Sequence, residues 1–323
     1  LETTGSRPGR RTVLGLGGLT GLGATGALGA LGTLGTVGTL GTLGAGTAYA
    51  SAPGDAGLSP RLAELEREHA ARVGVFAHDT ATGRTVAYRA DELFPICSVF
   101  KTLGAAVVLR DLDRDGEYLA KRIHYTKEYV EAAGYCPVTS RPANVEAGMT
   151  VAELCAASVS HSDNGAANLL LREVGGPTAI TRFSRSLGDR TTRLDRWEPA
   201  LNSAEPWRKT DTTTPRAIGG TYARLLLGRA LPDADRELLT GWLIANSTNV
   251  ERFLAGLPAD WTLADKTGGG SSYGVANDVG VVWPPHRPPL VLSVLTTKHA
   301  PEGPSDNPLV AEVAGLIAET LTP

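Results

Sequence analysis

Strand-forming patterns stand at both ends of this chain with a long helical stretch between them, and that arrangement leaves few folds open. Arg72 to His78 and Thr85 to Arg89 are short strand-like runs around the turn signal Asp79-Thr80-Ala81-Thr82-Gly83, which predicts an antiparallel hairpin. Asp278 to Trp283 and Leu290 to Thr297 resume strands across the Pro-rich turn 284–289. From Phe94 to about Leu243 the pattern is helical: Thr150 and Glu153 form a capping-box signature, and Gly175-Gly176-Pro177 and Gly188 act as stops. Further helices are predicted from Ser59-Pro60 to about Ala71 and from Asn307-Pro308 onward. Strands need partners, so the two ends are expected to pair into one sheet. The predicted class is α+β: an antiparallel sheet built from both chain ends with flanking helices, plus an inserted all-helical domain. Residues 51–93 and 246–323 would form the sheet domain and 94–245 the helical one, with the site in the cleft between them.

The first 50 residues obey different physics. They hold 15 of the 39 glycines and a single acid, Glu2. Arg10 and Arg11 precede a weakly apolar stretch ending in Ala48-Tyr49-Ala50, a small-residue cleavage pattern. Residues 1–50 therefore read as a twin-arginine export signal, with the twin-arginine export machinery as partner of the precursor, cleavage near Ala50 and a secreted product. So many glycines make a poor spanning helix. Gly21, Gly23 and Gly26 match a dinucleotide-binding spacing, but no strand precedes them, and glycine is frequent enough here to produce the match by accident.

Composition narrows the function classes. In 323 residues, 31 basic and 34 acidic side chains give a formal charge of -3 with no basic run, so a nucleic-acid partner is not expected. The six histidines show no ligand spacing, and no metal or cofactor is called for. Three cysteines (Cys97, Cys136, Cys155) permit at most one disulfide. Only six of the basic residues are lysines, so motifs that require lysine are hard to meet by chance.

Ser98-Val99-Phe100-Lys101 is the one S-x-x-K match in the chain, on an apolar helical run where this spacing puts hydroxyl and ammonium on one face. A serine hydroxyl becomes a nucleophile when a neighbour accepts its proton, and a desolvated lysine can do so. Taken alone, a capping serine followed by a surface lysine is the more ordinary explanation. Ser162-Asp163-Asn164 follows in a non-helical break, and Lys266-Thr267-Gly268 comes just before the last strands. A polar turn and a Gly-rich turn would explain these two blandly, but the three in this order are improbable by accident.

Together they make the sequence resemble the class A β-lactamases, whose signature with that of penicillin-binding proteins is this triple. Arg196-Trp197-Glu198-Pro199-Ala200-Leu201-Asn202 resembles the RxxEPxLN segment opening that family's Ω-shaped loop, here 196–211, closed by Asp211. The likeness continues through Gly148 to Leu154 and Pro258 to Trp261, and covers the chain from about residue 58. It implies a monomeric hydrolase acting on a small β-lactam. Ser98 would be acylated, with the backbone N–H groups of Ser98 and Gly269 stabilising the oxyanion. Lys101, or Glu198 through a water, would take the serine proton, and Ser162 would relay a proton to the lactam nitrogen. Lys266, Thr267, Gly268 and Arg252 would hold the substrate carboxylate side. Asn164 would bond the side-chain amide, and Tyr135 would stand at the cleft rim. Glu198 and Asn202 would activate the deacylating water, and Arg196 and Asp211 would pair across the loop.

The resemblance also bears on the cysteines and on substrate range. Gly270 gives Cys97, and Ala105 gives Cys155, no partner for disulfides seen in some members, so free, buried thiols are expected. Gly269 brings no side-chain hydroxyl, which with the missing Cys97 disulfide argues against strong carbapenem turnover. A D-alanyl-D-alanine peptidase shares the first three motifs but needs no Glu198, and a penicillin sensor, in which the acyl group stays on Ser98, would normally carry a membrane anchor and a signalling segment.

Overall fold

The computed structural model describes residues 57–323; the leader read in residues 1–50, with its cleavage point, lies outside them. Five strands form one antiparallel sheet: β1 (Ala71–Asp79), β2 (Thr85–Tyr88), β3 (Thr262–Gly269), β4 (Ala276–Trp283) and β5 (Leu290–Lys298). Their order is β2-β1-β5-β4-β3. β1 and β5 pair from Ala71 opposite Lys298 to Asp79 opposite Leu290, so the two chain ends do share one sheet. The longer helices are α1 (Leu58–Glu68), α2 (Phe100–Val107), α3 (Val151–Ser160), α4 (Asn164–Glu173), α5 (Thr178–Ser186), α6 (Pro215–Leu226), α7 (Asp233–Ile244) and α8 (Asn307–Leu321).

Side chains alternate across a strand, and here both faces are buried. Leu290, Leu292 and Val294 of β5 enter one core with α1 and α8, whereas Val291 and Leu295 enter a second core with the helices of the middle region. That is why β5 reads as an unbroken apolar run instead of an alternating one. The second core is built around α2, all eight residues of which are buried. A helix apolar on every side belongs inside, and α2 packs on α3, α4, α5 and α7. Lys101 is its one charged residue, so that charge must find partners within the protein.

Three sequence expectations need correction. The Lys266-Thr267-Gly268 triplet lies inside β3 instead of ahead of the strands, because the strand carries buried Asp265 and Lys266 that break its apolar pattern. The middle region is not purely helical: Phe94–Pro95 pairs with Thr212–Thr213, and Arg122–Ile123 with Met149–Thr150. α1 starts at Leu58 with Gly57 at its N-cap, not Ser59, and stops at Glu68 before Ala70 takes a positive φ of 43°. The Thr150–Glu153 capping box forms as predicted, with Thr150 N donating to Glu153 Oε2 at 2.7 Å and Glu153 N to Thr150 Oγ1 at 3.2 Å. All three cysteines are buried and free.

Candidate active site

Ser98 sits in a 3-10 turn, Cys97–Val99, that runs straight into α2 and places Lys101 in the first turn of that helix. Edge strand β3 lies against this turn because Gly268 has no side chain: a Cβ there would stand 3.1 Å from Val99 Cγ2 and 3.2 Å from Ile96 O.

Three segments converge on Lys101. Its Nζ donates to Ser162 O (2.7 Å) and Asn164 Oδ1 (2.6 Å), with Ser162 Oγ at 3.4 Å. Glu198 Oε1 completes the set at 3.2 Å, in an ion pair whose side chains are both 0% exposed. Four oxygens around an ammonium with three protons leave no donor unused, which offsets the cost of burying the charge. The same Oε1 lies 3.5 Å from Ser98 Oγ, at the outer limit of hydrogen bonding. Serine and lysine thus share one carboxylate oxygen.

Glu198 is held from three sides. Asn202 Nδ2 donates to its Oε2 at 2.5 Å, and Asn168, on α4, grips its backbone twice: Asn168 Nδ2 donates to Glu198 O at 2.9 Å and Glu198 N donates to Asn168 Oδ1 at 3.0 Å. The peptide between Glu198 and Pro199 is cis. The ends of the segment are joined where Arg196 Nε meets Asp211 Oδ2 at 2.5 Å, while Asp211 Oδ1 accepts the backbone N–H of Asp195 and Arg196 at 2.7 and 3.0 Å.

Ser162 lies between α3 and α4 with φ 55°, and the next residue anchors this turn. Asp163 caps α4 and accepts from Ala166 N (2.8 Å), Val138 N and Thr139 N (both 2.9 Å) and Thr139 Oγ1 (2.7 Å). Asn164 is already engaged, with Oδ1 taken by Lys101 and Nδ2 donating to Ala133 O at 2.9 Å.

On the β3 side, Lys266 faces the helical core and is fully buried, its Nζ 3.0 Å from Thr267 O. Burial, followed by the like charge of Lys101, pushes its ammonium well below the usual lysine range. Thr267 lies on the opposite face of the strand, with its Oγ1 2.5 Å from Thr248 Oγ1. Arg252 is committed to the scaffold: Nη1 donates to Gly268 O (2.8 Å) and Asn277 O (2.7 Å), and Nε to Asn307 Oδ1 (2.8 Å). Burial lowers its pKa, and Nη2 lies toward Gly269, 4.0 Å from where a Cβ would stand there. A cleft of about 540 Å³ is lined by Tyr135, Asn164, Asn202 and Gly269 among others, with Tyr135 57% exposed at its rim.

Sequence reasoning gave no role to Asp163, Asn168 or the neighbouring acids Asp265 and Asp278. Asp163 carried a signal, an acid immediately before a helix. Asn168 carried only its position as an amide inside an apolar helix. Asp265 and Asp278 are buried on adjacent strands; desolvation and, for Asp278, the neighbouring carboxyl raise their pKa values.

The comparisons with known proteins agree with this geometry. The model of the β-lactamase enzyme family matches residues 57–321. A β-lactamase from Streptomyces lavendulae is 61% identical over 321 residues, covering 99% of this chain and 100% of the relative. The solved β-lactamase from Streptomyces albus G superposes with a TM-score of 0.80 at 64% identity, over 81% of this chain and 98% of that one. An ancestral class A β-lactamase superposes at 0.75 with 52% identity, over 81% and 99%. The chain belongs to the β-lactamase enzyme family, and within it to the serine hydrolases of class A.

Proposed function

We propose that this β-lactamase hydrolyses penicillins, with cephalosporins as a further candidate class, through an acyl-enzyme on Ser98 that Glu198 helps to release. The observation that carries the reading is the placement of one carboxylate oxygen, Glu198 Oε1, beside both Ser98 Oγ and Lys101 Nζ. Lys101 Nζ spends its donors on four oxygen neighbours while Glu198 Oε1 faces Ser98 Oγ, which favours Glu198, through a bridging water, as the base that takes the serine proton. Backbone N–H groups of Ser98 and Gly269 then stabilise the oxyanion. Ser162 passes a proton to the lactam nitrogen, assisted by Lys266, whose charge is favoured once a substrate carboxylate supplies a counter-ion. Lys266, Thr267 and Arg252 hold that carboxylate, Gly268 lets the strand approach, Asn164 bonds the acyl amide, and Tyr135 borders the entrance.

Deacylation needs a water held by two acceptors. Asn202 Oδ1 is buried without a hydrogen-bond partner among the described residues and lies on the amide whose nitrogen binds Glu198, which supports the pair in that task. Export through the twin-arginine route, function as a secreted monomer, division at residues 94 and 245, and β-lactam resistance of the host belong to the same proposal.

Mass spectrometry of the mature enzyme with benzylpenicillin, beside Glu198→Ala, tests it. Wild type should release penicilloate, while the variant, acylated more slowly and deacylated more slowly still, accumulates an adduct on Ser98. A wild type that itself stays acylated would make the protein a peptidase or sensor, and neither adduct nor turnover would sink the assignment.

A further inference from the structure

A hydroxyl has one proton to give, and around Thr267 the structure determines where each proton goes. Asn246 is oriented without ambiguity. Thr248 N, which can only donate, meets Asn246 Oδ1 at 2.9 Å, while Asn246 Nδ2 faces Asp265 O at 3.2 Å and Asp265 Oδ1 at 3.1 Å. Thr248 Oγ1 also lies 2.8 Å from Asn246 Oδ1, and an amide oxygen only accepts, so the Thr248 proton is spent there. The remaining contact, Thr248 Oγ1 to Thr267 Oγ1 at 2.5 Å, must therefore carry the proton of Thr267. The chain runs one way: Thr267 to Thr248 to Asn246, and from the amide nitrogen to Asp265. Asp265 Oδ1 is fixed further by Asn249 Nδ2 at 2.7 Å.

We propose that Thr248 is a positioning residue that turns the Thr267 hydroxyl proton away from the substrate carboxylate and so sets the apparent affinity for it. The inference rests on the reading of Thr267 as a carboxylate-binding hydroxyl. In the resting enzyme Thr267 presents a lone pair to an incoming anion, and binding must break the Thr267–Thr248 bond before the hydroxyl can donate. Without the Thr248 hydroxyl, Thr267 is free to donate from the outset. Valine at 248 keeps the branched shape, and Asn246 Oδ1 retains its bond from the backbone N–H of residue 248, so no buried acceptor is orphaned.

Steady-state kinetics of the mature enzyme, with benzylpenicillin and with its methyl ester, test this on Thr248→Val, Thr248→Ser and Thr267→Val. Thr248→Val should lower KM for the acid about five-fold with kcat within about twofold, the scale of one charge-assisted hydrogen bond released from competition. Thr248→Ser should behave as wild type, and the ester should show no gain. Thr248→Ala removes the same hydroxyl if the valine variant does not fold. An unchanged or raised KM for the acid, or a gain shared equally by the ester, overturns the proposal. Thr267→Val separates the two readings. If it raises KM while Thr248→Val fails to lower it, only the role of Thr248 falls; if it leaves KM for the acid unchanged, the carboxylate reading of Thr267 falls and takes this inference with it.

Discussion

A buried side-chain amide holds the backbone on either side of the Glu198 carboxylate. Asn168 bonds both the N–H and the C=O of Glu198, so it acts on the carboxylate through the main chain, while Asn202 and Lys101 touch the oxygens themselves. Asn168→Ala would leave two buried backbone groups unpaired, a cost of about 1–3 kcal/mol each before relaxation. The functional loss should fall on deacylation more than on acylation. In stopped-flow experiments with a chromogenic β-lactam the variant should show a larger burst and a slower steady state than wild type. A lowered melting temperature with an unchanged ratio of the two rates would make Asn168 a stabilising residue only.

Among elements, the segment from Arg196 to Asp211 depends most on few contacts. Its ends meet through a carboxylate that is 1% exposed and accepts two backbone N–H groups besides the Arg196 guanidinium. Arg196→Ala strips the charge partner from a buried acid; because Arg196 is itself 26% exposed and water can enter, the cost should be about 2–3 kcal/mol, below that of breaking a fully buried pair. Limited proteolysis should then cut within 196–211 in the variant before wild type is cut, and equal cutting would count against the staple. This segment was legible because Arg196, Glu198, Pro199, Asn202 and Asp211 lie close together in sequence. The hairpin strands and the capped α3 were legible through local periodicity and capping. β3 was not, since Asp265 and Lys266 interrupt its apolar pattern and the amides that bond Asp265, those of Asn246 and Asn249, come from a separate segment that no local pattern encodes. For the same reason Thr248 gave no signal: its importance comes from what lies opposite it in space.

At the scale of the molecule, the paired acids Asp265 and Asp278 link protonation to stability. Burial and the neighbouring carboxyl raise the pKa of Asp278 well above its ordinary 3.8, so the folded state retains a proton that the unfolded chain releases. That contribution is complete below the unfolded value and is lost as pH rises through the folded one. Wild type should therefore lose thermal stability on going up from pH 4 through the raised titration. Asp278→Asn, which removes the titrating carboxyl, should give a flatter profile of melting temperature against pH. Parallel profiles would show that the pair does not hold that proton.

The pairing of β1 with β5 sets Val75 opposite Val294, residues from opposite ends of the described chain. Contacts so distant in sequence form late, because the entropy of closing the intervening loop is lost before any pairing energy is gained. On the ribosome the N-terminal hairpin waits for nearly the whole chain to be made. β3 joins the sheet through β4 and β5, so the wall carrying Lys266 and Thr267 is among the last parts of the molecule to be completed. A truncated or nascent chain can hold Ser98, Lys101 and Glu198 and still have no cleft in which to use them.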